Sequence, residues 1–364
     1  MIQTLEPRVV GGVDPRFWRD RRVLVTGHTG FKGSWISLWL QKMGADVVGY
    51  SLAPPSTPNL FSVAQVAKGM DDLRGDVMDF NLLSSALKNH QPEIIIHMAA
   101  QSLVRPSYDD PIGTYGVNVM GTVHLLEAIR RIEGVRAVII VTSDKCYDNQ
   151  ERQQGYREAD PMGGFDPYSS SKGCAELVCS AFRNSFFSGS APDSTQVASV
   201  RAGNVIGGGD WGRDRLVPDA MRAFLAGEPL SIRYPDAIRP WQHVMDPLAG
   251  YLVLAQNLLA KGSEFASAWN FGPGAANEQP VRSLVQELAL LWGDDAEVSF
   301  SSEEHPHEAA FLKLNSDKAQ SLLGWQPRIL LKEALALTVD WTRGYAGGRD
   351  GREMVLEQID NYAE

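Results

Sequence analysis

The chain has 364 residues, 44% of them hydrophobic and 21% charged, enough for one large or two smaller domains around a substantial core. A net charge of -10, with acidic and basic residues interspersed, excludes a surface built to attract nucleic acid or anionic lipid, so an anionic substrate requires a local basic pocket. Three cysteines, Cys146, Cys174 and Cys179, provide neither a disulfide framework nor a metal clip, which suits a reducing cytoplasm and a protein without a metal site.

The first 20 residues, "MIQTLEPRVVGGVDPRFWRD", lack the apolar centre of a signal peptide and read as a short lead-in. No stretch approaches the ~20 apolar residues of a membrane span. From Arg22 onward, short β-rich apolar runs alternate with longer segments of helical period: "RVLVTG", "SWISLWLQKMG", "DVVGY", "EIIIHMA", "TVHLLEAIRRIEG" and "AVIIVTS". This alternation predicts an α/β fold with a doubly wound parallel sheet covered on both faces.

Between the first run and the first helical segment, "VLVTGHTGFKG" supplies Gly27, Gly30 and Gly33. Such glycines permit a tight turn and a close approach of backbone N–H groups, so that a pyrophosphate can sit at the helix N-terminus. The second run, "DVVGYSLAPP", has Tyr50, Ser51 and Leu52 where a ribose-binding acid is expected. No Arg or Lys lies between Val47 and Ala67 to neutralise a 2′-phosphate, which leans towards NAD, although Lys32 leaves NADP open. Asp76 in "GDVMD" is either an acceptor for the adenine amino group or a plain turn aspartate.

The run "AVIIV" is followed by "TSDKCYDN", which sets Asp144 beside Lys145 where a buried strand ends. In "DPYSSSK", Tyr168 and Lys172 are one helical turn apart, with Asp166 and Pro167 as N-cap and first-turn proline. An ammonium beside a phenol lowers its pKa, so such a pair can remove a hydroxyl proton while hydride leaves the same carbon. Tyr-x-x-x-Lys alone is common in surface helices; combined with the glycine turn and "TSD" it is not. Beyond about Val200, Gly and Pro punctuation in "GNVIGGGDWGRDRLVP" and "RYPDAIRPWQH" marks a different texture. We therefore expect residues 1–200 to form mainly the dinucleotide-binding domain and 201–364 mainly a smaller substrate lobe, with some chain crossing back to the sheet. The tail "LNSDKAQSLLGWQPRILLKEALALTVDWTRG" reads as two small helices joined through Gly324 and Pro327.

With these motifs, and with "HMAAQ" at His97–Gln101 and "NVMGTVHLLEA" from Asn118, the chain resembles the extended short-chain dehydrogenase/reductase family from Arg22 to about Trp341. The resemblance implies a Rossmann domain holding NAD through Gly27, Gly30, Phe31, Gly33, Asp76, Val77, Ala99, Ala100, Tyr168 and Lys172. It makes Ser143 the hydroxyl partner of Tyr168. Asn118 falls in the support network beside the substrate, and Asn204, Arg215 and Arg239 fall on the nucleotide diphosphate, where arginine's fork suits phosphate oxygens. It also implies a homodimer, or a dimer of dimers, joined through "NVMGTVHLLEAIRRI" and "YSSSKGCAELVCSAFRNSF".

Within that family, epimerases carry small residues after the Ser, whereas sugar-nucleotide 4,6-dehydratases carry an acid–base pair, usually Asp-Glu. Here the pair is Asp144-Lys145, which departs from the thymidine- and GDP-sugar enzymes and is similar to the branch that takes CDP-glucose. So are "GHTGFKGSW", "GYSLAPPSTPNLF", "RAGNVIGGGDW", "RPWQHV" and "HEAAFLKL". The implied chemistry is C4 oxidation, elimination of water across C5 and C6 with Asp144 as acid and Lys145 as base or enolate stabiliser, and hydride return to C6. Lys145 as a mere salt-bridge partner of Asp144 is the alternative. "HPHEAAF" stands where several relatives have consecutive arginines, which points to a different pyrimidine. Rival readings are an epimerase or dehydratase of another nucleotide sugar and a non-catalytic dinucleotide sensor, the latter disfavoured by the intact Tyr168 and Lys172.

Overall fold

A computed structural model describes residues 12–189, 191, 193–232, 234–293, 296–300 and 311–363. The short apolar runs become strands: β1 (Arg22–Thr26), β2 (Asp46–Ser51), β3 (Asp71–Arg74), β4 (Ile94–His97), β5 (Ala137–Val141) and β6 (Gln196–Ala202). After them come β7 (Asn204–Ile206), β8 (Leu230–Ile232), β9 (Ile238–His243), β10 (Ala268–Phe271), β11 (Glu278–Pro280) and β12 (Val298–Phe300). The main sheet has seven strands in the order β10-β6-β5-β4-β1-β2-β3, every pair parallel. β7, β9 and β11 form a second sheet, and β8 pairs with β12.

Parallel strands covered on both faces must be apolar on both, and alternate residues here enter opposite cores. Val23, Val25, Ile94 and Ile96 join one core with Trp35, Ile36 and Leu248; Leu24 and Ile95 join another with Leu87, Leu125 and Cys179. The first core lies under the helices Phe31–Lys42 and Met245–Lys261, the second under Phe80–His90, Gly121–Arg130 and Pro167–Phe186. The strand order reverses between β1 and β4, and ligand crevices open at such a switch point, beyond the carboxyl ends of the strands.

Two expectations are corrected. The lead-in is part of the domain in its described portion: Val13 and Trp18 are buried, and Trp18 Nε1 donates to Gln256 Oε1 at 3.0 Å. Residues 1–11 of that segment lie outside the described residues. The tail holds one short helix, Asp317–Leu323, ended by Gly324, then a full helix, Leu331–Ala346. A third helix, Gly351–Ala363, went unrecognised. It covers the outer face of Phe31–Lys42: Trp39 and Tyr362 meet edge to face at 5.6 Å, Arg352 Nη2 donates to Gln41 Oε1 at 2.9 Å, and Lys42 pairs with Asp360.

The helix Pro167–Phe186 is anchored to the sheet by charge. Glu176 Oε2 accepts from Arg201 Nη2 at 2.8 Å and from Ser199 Oγ at 2.7 Å, while Oε1 accepts from Thr142 Oγ1 at 2.5 Å. Arg201 Nη1 donates to the Tyr147 hydroxyl at 2.6 Å, and that hydroxyl donates to Asn270 Oδ1 at 2.7 Å. Burial pushes the Glu176 carboxyl up, but Arg201 and the two hydroxyls outweigh it and hold the group below its ordinary value. Replacing Arg201 by Met strands a buried carboxylate and is expected to destabilise the fold by about 3–5 kcal/mol in denaturant titrations. Because the folded pKa of Glu176 is depressed, the wild-type advantage is complete above the unfolded glutamate value. It is lost as pH falls through the folded value, and the difference between wild type and Arg201→Met should shrink in the same direction.

Candidate active site

The glycine turn fits a dinucleotide for steric reasons. Gly27 has φ +74°, and a Cβ there would stand 2.6 Å from Ala99 N; a Cβ on Gly33 would stand 2.1 Å from Gly27 O. Gly30 is the N-cap of Phe31–Lys42, whose first amides have no acceptor within the helix and so suit an anion. Thr26 Oγ1 ties the two central strands together: it accepts from Met98 N and Ala99 N at 3.1 Å each and lies 2.7 Å from His97 Nδ1. Ala99 and Ala100 therefore continue from β4 directly beside the turn. Phe31 opens the helix, Val77 is buried under Gly121–Arg130, and Asp76 uses one oxygen to accept from Met78 N at 2.9 Å, as a turn aspartate does.

At the end of β5, Ser143 caps a single 3-10 turn, Asp144–Cys146, and its hydroxyl accepts from Lys145 N at 3.2 Å while donating to Asp144 Oδ1 at 3.0 Å. Tyr168 and Lys172 stand one turn apart on Pro167–Phe186, which Asp166 caps by accepting from Ser169 N at 2.9 Å. Tyr168 N is held by Ser107 Oγ at 3.1 Å, and Lys172 Nζ donates to Val141 O at 3.2 Å. The expected lowering of the phenol pKa is not what this arrangement gives. Burial raises Tyr168 to about 12, against a smaller opposing contribution from the Ser143 hydroxyl. Burial also brings Lys172 down to about 8 and raises the Asp144 carboxyl, outweighing Lys145, Ser143 and Arg239. Lys145 is half-exposed. Among the described residues its side chain forms no ion pair with Asp144, on which its charge and its backbone N–H both act to lower the carboxyl pKa.

Segments from beyond residue 200 also approach this cluster. A Cβ at Gly203, between β6 and β7, would stand 3.1 Å from Asp144 Oδ2 and 3.0 Å from Pro240 Cγ, so β9 lies against the carboxyl. Arg239 precedes Pro240, and Arg215 reaches in from the start of Leu216–Ala226, held by Asp210 at 3.1 Å and Ser102 Oγ at 3.1 Å. Asn204 opens β7, half-buried. Asn118 is placed differently from the other substrate candidates. Its Oδ1 accepts from Gln101 N, and its Nδ2 donates to Gln101 O and Ser171 Oγ, all within 2.8–2.9 Å, so both amide hydrogens are committed to protein groups. These bonds suit the support role that the resemblance implies. Of "HPHEAAF" only Phe311 lies within the described residues.

Sequence reasoning missed a further cation. Lys32, weighed only for a 2′-phosphate, donates to the Tyr251 hydroxyl at 3.1 Å and lies 5.0 Å from that ring's centre. Burial, then Lys172 and Arg215, bring it to about 7, and Asp144 pulls the other way, so it belongs to the reactive cluster. No local spacing reveals this, since Tyr251 sits within the apolar helix Met245–Lys261.

Residues 24–338 match the family described as GDP-mannose 4,6 dehydratase. The chain is 52% identical to the CDP-glucose 4,6-dehydratase of Salmonella typhimurium, covering 96% of this chain and 98% of that protein. It is 31% identical to the UDP-glucose 4-epimerase of Mycolicibacterium smegmatis, over 88% and 98%. The solved Thermus thermophilus UDP-glucose 4-epimerase in complex with NAD is similar with a TM-score of 0.76 and 25% identity, covering 89% of this chain and 99% of that one. The chain belongs to the GDP-mannose 4,6 dehydratase family of extended short-chain dehydrogenases/reductases.

Proposed function

We propose that this enzyme is a CDP-glucose 4,6-dehydratase, converting CDP-D-glucose to CDP-4-keto-6-deoxy-D-glucose and water. The observation that carries the reading is Asp144-Lys145 directly after Ser143, facing Tyr168, in a chain 52% identical to a dehydratase of that name. NAD, when bound on the glycine turn, supplies the acceptor and donor for the hydride that leaves C4 and arrives at C6.

Tyr168, hydrogen-bonded by Ser143 and with Lys172 behind it, takes the proton of the 4-hydroxyl in its phenolate form, which burial makes the minor one and which must form before the step. The C4 ketone acidifies the C5 hydrogen. Lys145 removes that proton while Asp144 protonates the C6 oxygen, which leaves as water. Asp144 suits the acid's part because burial favours its protonated form. A proton then returns to C5 from Lys145, and the proton gathered by Tyr168 balances the one that departs in water. Arg215, Arg239 and Asn204 hold the diphosphate, supplying the basic pocket that an acidic chain needs for this substrate.

The same reading includes a homodimer. Met120, Leu177 and Phe186 are 44%, 60% and 54% exposed on the helical segments 116–130 and 167–186, more apolar surface than helices packed on one sheet require.

With CDP-, dTDP-, UDP- and GDP-glucose offered separately, CDP-glucose is expected to give by far the strongest alkaline absorbance of a 4-keto-6-deoxy sugar. Deuterium placed at C4 should appear at C6; its loss to solvent rejects the cycle. Lys145→Ala should slow C5 exchange with heavy water by about 10²–10⁴-fold at an unchanged melting temperature. Unchanged elimination in that stable variant removes the role given to Lys145. In solution at micromolar concentration the mass should be that of two or more chains, and a fully active monomer would exclude the dimer.

A further inference from the structure

The helix that opens the dinucleotide site carries a cation where helix electrostatics disfavour one. Lys32 is the second residue of Phe31–Lys42, in the turn whose unpaired amides already bring partial positive charge. It is half-buried, and among the described residues no carboxylate pairs with it. Its Nζ instead donates to the Tyr251 hydroxyl at 3.1 Å and lies 5.0 Å from the centre of that ring, so two of the three ammonium donors stay uncommitted among the described residues. Tyr251 is fully buried on Met245–Lys261, edge to face on Phe271 at 5.5 Å. Burial pushes its pKa up, so the phenol stays neutral and leaves the charge of the ammonium uncancelled.

The groups that face Lys32 come from four other elements. Tyr251 belongs to Met245–Lys261, Lys172 to Pro167–Phe186, Arg215 to the start of Leu216–Ala226, and Asp144 to the turn after β5. Lys172 and Arg215 oppose its charge, and Asp144 supports it. Tyr251 in turn feels the charges of Asp144 and Tyr168. The Lys32–Tyr251 pair therefore reaches from the glycine turn, where a pyrophosphate sits, to the groups that move protons on the sugar. A dinucleotide seated on that turn, with its hydride-accepting ring presented to a sugar at Tyr168, lays its nicotinamide half across the same span.

We propose that Lys32 is an electrostatic tuning residue for the hydride steps: its unpaired ammonium disfavours the positively charged nicotinamide of NAD relative to the neutral ring of NADH. The use of this bias rests on the proposed dehydratase cycle. Hydride taken from C4 must not return there before water has left C5 and C6, and a cation at this place prolongs the reduced stage in which elimination occurs. Burial, Lys172 and Arg215 bring Lys32 to about 7, so its charge is present below neutrality and lost as pH rises, and the bias follows the charge.

The test is calorimetric titration of the purified chain with NAD and with NADH, without sugar nucleotide, at about pH 6 and about pH 9. The quantity read is the NAD dissociation constant divided by that of NADH. Lys32→Met should lower this ratio by about tenfold at the lower pH, the scale of two like charges several ångströms apart in a partly hydrated crevice, and by less than about threefold at the higher. Lys172 titrates in both proteins, so comparison at equal pH isolates Lys32. Lys32→Arg, whose charge does not titrate, should match the wild type at the lower pH and exceed it at the higher. Equal weakening of NAD and NADH by Lys32→Met marks a contact with the shared pyrophosphate or a structural role and overturns the assignment. So does a difference from wild type that is the same at both pH values. Melting curves confirm that the variants fold; if Lys32→Met does not, a Lys32→Arg ratio that falls with pH as the wild type's does overturns the assignment. Failure of both dinucleotides to bind refutes the dinucleotide site and the assignment with it, whereas the bias in a protein inactive on CDP-glucose refutes only the proposed substrate.

Discussion

The buried pair Glu176–Arg201 determines where chemistry can happen in this molecule. Both side chains are under 5% exposed, and taking two charges out of water costs several kcal/mol for each unless geometry and extra hydrogen bonds compensate. The compensation here reaches every part of the site. Glu176 is one turn beyond Lys172 and two beyond Tyr168, so anchoring it orients the reactive face of the helix towards the sheet. Thr142, its second donor, immediately precedes Ser143, and Tyr147, bound to Arg201, follows Asp144 by three residues. Asn270 on β10 extends the same chain of contacts to the edge of the sheet. Two segments far apart in sequence are thereby held in one register by a network without a reactive role of its own.

Desolvation is the common cause behind the unusual acidities. It lowers Lys32 and Lys172 towards neutrality and raises the Asp144 carboxyl and the Tyr168 phenol, so all four are shifted towards their uncharged forms. A crevice tuned in this way suits proton transfer, because the gap between donors and acceptors is narrowed from both sides. Arg215 and Arg239 give an otherwise acidic chain a positive lining at one place, close enough to act on Tyr168 and Asp144 respectively.

What the sequence disclosed was what is local. Strand periodicity, the glycine turn, and the helical spacing of Tyr168 and Lys172 each depend on a few neighbouring residues, and each occurs where pattern reading puts it. What it withheld depends on contacts across the fold. The acidity of Tyr168 was misjudged because its burial is produced by tertiary packing that a four-residue spacing does not report. Lys32 was undervalued because its partner Tyr251 lies 219 residues away. The last helix was missed because "GGRDG" before it reads as the end of an ordered chain.

That last helix has a consequence for the chain as it is made. Lys42 and its partner Asp360 are 318 residues apart, so the outer face of the dinucleotide-binding helix is synthesised long before its cover. At the usual pace of translation the delay is roughly 15–60 s, ample time for the earlier part of the chain to collapse. Throughout that interval Trp39 lacks its ring partner Tyr362. The helix that opens the dinucleotide site therefore acquires its outer cover only when the last residues of the chain are made.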